Sequence, residues 1–251
     1  MAETDPVGHV ASAMSNGSMR IAVQPIVSLV TGSVLGYEAL MRPPAPYQNP
    51  QALLSAALGS GCLQELEVEV CRKAARAVLD LCDGAKLFVN LTPETFCGGF
   101  LRCARALRAL PPGRVVVELT EAFPYDARIR AAAALWRRDG FSLAVDDVAS
   151  GFSRLLAVGM VKPDYLKIDR EVVKGVADAT WRGVVKGVVA LAREIKASVI
   201  AEGIETAEEI RILFDLGVEW GQGYLIGGPC QPEAAKRLQV DRAAPKAVAS
   251  A

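Results

Sequence analysis

Short apolar runs rich in β-branched residues alternate along this chain with longer Ala/Leu/Arg segments of helical spacing. The runs predict strands at 21–27, 34–41, 86–91, 114–119, 142–147, 164–168, 198–203 and 220–226. The first two are joined through Leu29-Val30-Thr31-Gly32-Ser33, a segment suited to a hairpin turn. Helices are predicted at 63–82, about 100–109, 126–139, 153–159, 176–196 and 206–216. In the first of these Leu63, Leu66, Val70, Ala74 and Val78 share one face, and Gly217 suits the end of the last. Eight strands alternating with helices predict an α/β fold: a modified TIM-like (β/α)8 barrel whose opening hairpin makes one strand antiparallel. A doubly wound sheet is the competing arrangement.

Residues 1–19, with Gly, Ser and Asn, read as a disordered leader, 20–240 as the barrel, and the Ala-rich 241–251 with Pro245 as a disordered tail. The 251 residues suit a single barrel, which needs about 250. Balanced charge, 28 Lys and Arg against 28 Asp and Glu, argues against a long nucleic acid as partner, since phosphate backbones demand a basic face. A small nucleotide is still compatible. No apolar run reaches the roughly 18 residues of a membrane span, and the leader lacks the core of a signal peptide. Together with six cysteines in no metal-type or C-x-x-C spacing, these features predict a cytoplasmic protein with buried free thiols. The single histidine, His9, lies in the leader. A Ser-His-Asp triad or a multi-histidine metal centre is therefore implausible, and chemistry must run on carboxylates, amides, Lys and Arg.

Barrels of this type build their active sites at the C-terminal ends of the strands. Those ends carry Glu38 and Arg42, Asn90, Glu118 and Glu121, Asp146-Asp147, Lys167 and Asp169, Glu202 and Glu205, and Gln222. Any one of these is more often a residue meeting water or capping the next helix. Neighbouring Asp146 and Asp147 would point to opposite faces of a strand. Both reach one site only if the chain turns there, which Ala149-Ser150-Gly151 permits. Gathered at one mouth, so many carboxylates call for hard divalent cations with oxygen ligands, Mg²⁺ or Mn²⁺. Two such ions about 4 Å apart clamp the attacking and leaving oxygens of a phosphate ester, and a lysine beside them orients the water or helps deprotonate it.

These residues lie in segments that resemble the EAL-domain family of cyclic di-GMP phosphodiesterases. The segments are QPIVSL (24–29), YEALMR (37–42), VNLTP (89–93), VELTE (117–121), VDDVASGFS (145–153), YLKID (165–169), IAEGIET (200–206) and GQGYLIGGP (221–229), in order from about Ile21 to Pro229. The resemblance implies metal-dependent hydrolysis of cyclic di-GMP to linear pGpG in bacterial signalling. It implies that Glu38, Asn90, Glu118 and Asp146 hold one ion. Asp146 would bridge to a second ion, served by Asp147 with Glu202 or Glu205. Lys167 would contact the hydrolytic water, and Gln222 would support that water or Lys167, so Glu38, Lys167, Glu202 and Gln222 form the expected catalytic group. Gln24, Leu40 and Arg42 match substrate-contacting positions, although Leu40 also reads as core and Arg42 as a surface ion pair. Arg42 has the forked donors that suit a phosphate. A homodimer is a further implication.

Glu121 matches a residue that holds the loop after the double Asp, with Ser150 as its partner. In that loop the chain departs from the usual Asp-Asp-Phe-Gly-Thr-Gly-Tyr-Ser: it reads Asp146-Asp147-Val148-Ala149-Ser150-Gly151-Phe152-Ser153. Val148 forgoes aromatic packing area and Ala149 disfavours positive φ, so reduced loop order and activity are expected. The leader has no room for the sensory or cyclase domains of many relatives, which leaves regulation to expression, oligomerisation or a protein partner. One alternative is a cyclic di-GMP receptor or protein-interaction module that kept the fold and lost turnover. A degenerate member would lack some of Glu38, Asn90, Glu118, Asp146, Asp147, Lys167 or Glu202, and none is missing. A hydrolase of some other phosphate diester on the same barrel is the third reading.

Overall fold

Val115–Leu119 is buried along its whole length, the pattern of a parallel strand covered on both faces. It lies in a closed eight-stranded barrel in which each strand neighbours the next in sequence. The strands are β1 Arg20–Ser28, β2 Val34–Arg42, β3 Lys86–Leu91, β4 Val115–Leu119, β5 Ser142–Val145, β6 Tyr165–Ile168, β7 Ser198–Ala201 and β8 Trp220–Gly221. This computed structural model describes residues 6–15, 18–79, 81, 84–120, 127–149 and 152–236. β1 runs antiparallel to both β2 and β8, and every other pairing is parallel. The expected modified barrel is therefore the observed one.

The hairpin turn forms where the sequence placed it. Gly32 takes φ +72°, and the Ser28 hydroxyl accepts the backbone N–H groups of Val30 and Thr31 at 3.2 and 3.1 Å. β5, β7 and β8 are shorter than the predicted 142–147, 198–203 and 220–226. Their last residues peel away from the ladder, and those are the residues carrying the polar side chains.

Around the barrel lie α1 Pro6–Ser15, α2 Pro50–Gly59, α3 Leu63–Leu79, α4 Pro93–Gly98, α5 Phe100–Leu107, α6 Ala127–Arg138, α7 Phe152–Val161, α8 Arg170–Lys174, α9 Ala179–Ile195 and α10 Ala207–Asp215. Most helices carry their signals locally. Thr206 and Glu209 close a reciprocal cap on α10, and Gly217 follows it at φ +86°. Helix α1 corrects the expectation of a disordered leader over residues 6–15. Val10 and Ala13, one turn apart, are buried in the outer core, a spacing that the polar composition around them obscured. The predicted tail 241–251 lies outside the described residues. Among the described cysteines, Cys71 and Cys103 are buried and all are free thiols.

The apolar interior divides in two. A large core fills the space between strands and helices. A small one, Ile26, Phe88, Val116, Ala144 and Ile200, plugs the barrel lumen, with Tyr165 and Trp220 against it. Phe88 and Tyr165 meet edge-on at 5.3 Å.

Candidate active site

Side chains two residues apart on a strand share a face, about 6.5 Å apart along it. The residues of the lumen plug therefore point to what lies above them. Two positions on from Phe88, Val116, Ala144, Tyr165, Ile200 and Trp220 come Asn90, Glu118, Asp146, Lys167, Glu202 and Gln222. On antiparallel β1 the step runs backwards, from Ile26 to Gln24, which pairs with Glu38 of β2.

Lys167 stands at the centre and is fully buried. Its Nζ lies 2.5 Å from Glu202 Oε1, 3.1 Å from Glu118 Oε2, 3.4 Å from Glu38 Oε2 and 3.6 Å from Asp146 Oδ1. Amides tie the ring together. Asn90 Nδ2 donates to Glu38 Oε1 at 2.8 Å. Gln222 Nε2 donates to Glu38 Oε2 at 2.7 Å and to Glu202 Oε1 at 3.1 Å. Gly223 lets the chain beside Gln222 pack this closely, since a Cβ there would sit 2.1 Å from the backbone nitrogen of Ile204.

The charges are unequally satisfied. Burial works against the Lys167 ammonium, but Asp146, Glu118, Glu202 and Glu38 outweigh it and hold the group well above the usual lysine range. Burial raises Glu38, yet Lys167 and the hydrogen bonds from Gln222 and Asn90 leave it below the usual carboxylate range. Glu118 goes well up, because burial exceeds the pull of Lys167 and its acidic neighbours add to it. Glu202 is pushed up to about 8, by burial first and against Lys167. One lysine does not neutralise this set, and Glu118 Oε1 is buried without a hydrogen-bond partner among the described residues. Asp146, Asp147 and Glu202 can each offer one oxygen within 4.8 Å of the others. Such an all-oxygen donor set with surplus charge fits a hard divalent cation.

The chain turns at the double Asp as required. Asp147 adopts φ +51°, and its N–H donates to Asp146 Oδ1 at 3.0 Å. The Val148 N–H returns to the Lys167 carbonyl at 3.0 Å. The positive φ therefore falls on Asp147 and not on Ala149, and Val148 is buried. Residues 150 and 151 of this loop lie outside the described residues. Asp147 is pushed up to about 7, by burial, then by Asp146 and by Asp169, with which it shares a hydrogen bond. Asp169 also caps α8 through the Glu171 N–H at 2.7 Å.

The remaining expected site residues divide. Leu40 and Arg42 lie on the Glu38 face of β2, nearer the rim, and both are half-buried. Gln24 donates to the Gly227 carbonyl at 3.2 Å. Glu205 is not brought into the cluster: it lies 3.4 Å from Arg170 and 4.0 Å from Lys174. Glu121 and Ser150 lie outside the described residues. Two contributors were not anticipated. Glu67 of α3 is buried and accepts the N–H and the hydroxyl of Thr92, both at 2.7 Å, anchoring the turn just beyond Asn90. Arg154 of α7 is buried beneath the double Asp, with Nη1 donating to the Asp146 carbonyl at 3.3 Å. Its sequence signal is a cation in the first turn of a helix, where the dipole disfavours one.

The EAL domain family model matches residues 8–229, most of the chain. The chain belongs to the EAL domain family. It is 29% identical over 237 residues to the probable cyclic di-GMP phosphodiesterase PdeN of Escherichia coli strain K12, covering 89% of this chain and 46% of PdeN. It thus spans less than half of that relative's length. Among solved structures it is similar to the PaMucR phosphodiesterase in complex with c-di-GMP, at TM-score 0.80 and 27% identity, covering 91% of this chain and 98% of that one. It is also similar to the manganese and cyclic di-GMP complex of Klebsiella pneumoniae BlrP1 at pH 6, at TM-score 0.76 and 28% identity, covering 88% of this chain and 58% of that one.

Proposed function

We propose that this chain is a metal-dependent phosphodiesterase that opens cyclic di-GMP to linear pGpG. The observation that carries the reading is Lys167 enclosed by four carboxylates, with Asp146, Asp147 and Glu202 able to offer oxygens to one ion. The similarity to a phosphodiesterase complexed with c-di-GMP and to a manganese complex supports it. Glu38, Asn90, Glu118 and Asp146 would hold one Mg²⁺ or Mn²⁺, and Asp146, Asp147 and Glu202 a second. Glu205 would act there only through water, from its place beside Arg170. When bound, the ions would offset phosphate charge and acidify a water molecule.

In the reaction, water attacks one phosphorus, the bond to the 3′ oxygen breaks and that oxygen takes up a proton. Lys167, within 3.6 Å of all four carboxylates, would contact the hydrolytic water and neutralise charge beside it. Glu202, 2.5 Å from Lys167 and grouped with Asp146 and Asp147, would help hold the second ion and the water beside it. Gln222 keeps Glu202 and Glu38 in register through its two hydrogen bonds. Arg42, with Leu40 and Gln24, would meet the substrate at the rim. The resemblance also carries a homodimer, and half-exposed Leu155 and Leu156 on α7 are where a second copy would be sought; the cysteine pattern points to a cytoplasmic location. Among the described residues no helix is long and apolar enough to cross a membrane.

The test is to incubate purified protein with cyclic di-GMP and Mg²⁺ or Mn²⁺ and separate the products by chromatography. Linear product that disappears in Glu38→Ala is the expected result. Tight binding without product in either metal would replace this reading with a receptor.

A further inference from the structure

We propose that Arg154 is a positioning residue that turns the Asp146 and Asp147 carboxylates to one metal site. The assignment rests on the reading that this cluster binds divalent cations. A buried guanidinium in the first turn of a helix is unfavourable twice, through desolvation and through the helix dipole. Tertiary partners must offset both. Arg154 Nη1 grips the Asp146 carbonyl at 3.3 Å, while Nη2 lies 3.8 Å from Asp147 Oδ2.

The gripped peptide is the one preceding Asp147, whose φ of +51° turns its side chain away from the alternation of an extended strand. The peptide following Asp147 is pinned from the other side, by Val148 N–H on the Lys167 carbonyl. Between these two anchors Asp147 and Asp146 bring oxygens within 4.8 Å of each other and of Glu202. A forked guanidinium can address a carbonyl and a carboxylate together, whereas an ammonium on the same stem reaches one of them.

The test is Mn²⁺ binding to chelator-stripped protein without substrate, read by electron paramagnetic resonance of the free ion. Arg154→Met is expected to weaken Mn²⁺ binding by about 10-fold or more, the range found for partners that orient metal ligands. Arg154→Lys should recover only part of the loss. In an Asp147→Asn background the Arg154→Met effect should shrink, leaving only the part carried through the Asp146 carbonyl. Unchanged or tighter binding in Arg154→Met overturns the assignment, as does an equal loss with and without Asp147. If the Met variant does not fold, Arg154→Lys carries the same comparison, since it keeps the charge. Absence of Mn²⁺ binding by the unaltered protein sinks the metal reading itself, a result distinct from any difference between variants.

Discussion

The floor and the mouth of the barrel lumen are built from the same strands and the same inward-facing positions, one side-chain step apart. The floor is Ile26, Phe88, Val116, Ala144 and Ile200, buried and apolar. The mouth is Glu38, Asn90, Glu118, Asp146, Lys167, Glu202 and Gln222, where carboxylates outnumber the central cation. The floor closes the barrel against water and holds the strands at fixed spacing. That rigidity forces the acids above into contacts they would relax if the strands could separate. The floor thus stabilises the fold, and the mouth offsets part of that stability.

This division can be broken from either side. Phe88→Ala should cost about 3–5 kcal/mol of stability by opening a cavity. Mn²⁺ affinity of the folded fraction should hold, as calorimetry and metal titration would show. Glu38→Ala should do the reverse: turnover falls by about 10²–10³-fold or more, while the metal-free melting temperature holds. A similar stability loss from both changes would mean that floor and mouth are one cooperative unit.

A smaller effect is expected from pH. Asp147 at about 7 and Glu202 at about 8 lie above the usual carboxylate value of about 4. Across that window the metal-free folded state binds more protons than the unfolded chain, so its stability falls as pH rises. Below about 4 both states are protonated and these groups add no pH dependence. The chelated protein should melt lower at pH 8.5 than at pH 5.5, and saturating Mn²⁺ should remove the difference. Melting that is flat or rises with pH in chelator would contradict the crowding of acids at the mouth.

The smallest effect concerns the turn. Val148→Phe with Ala149→Gly should not improve Mn²⁺ affinity, because Val148 is already buried and Ala149 carries no positive φ. Overpacking should instead cost about 1–3 kcal/mol, and a gain in affinity would show that the turn limits the site.

Much of the site was legible because it lies at strand ends. Glu38, Asn90, Glu118 and Lys167 follow apolar runs whose parity places them inward. Where β5 and β8 stop was not, since Asp147 and the segment after Gln222 leave the ladder through tertiary contacts. Helix α1 escaped notice because two buried side chains, Val10 and Ala13, are a weak signal. The resemblance offered Glu202 or Glu205 for the second ion; the chain bends at Gly203, φ +68°, and Glu205 meets Arg170.

What the sequence by itself determined is the alternation of strand and helix, the antiparallel opening hairpin and the set of acids, amide and lysine at the strand ends. Those follow from local periodicity and from turn chemistry. Only the tertiary structure decided which acids share Lys167, that Glu205 stands apart, and that Arg154 lies beneath the double Asp. Those contacts join residues far apart in the chain or across a turn, and their geometry depends on how closed strands and packed helices bring them together.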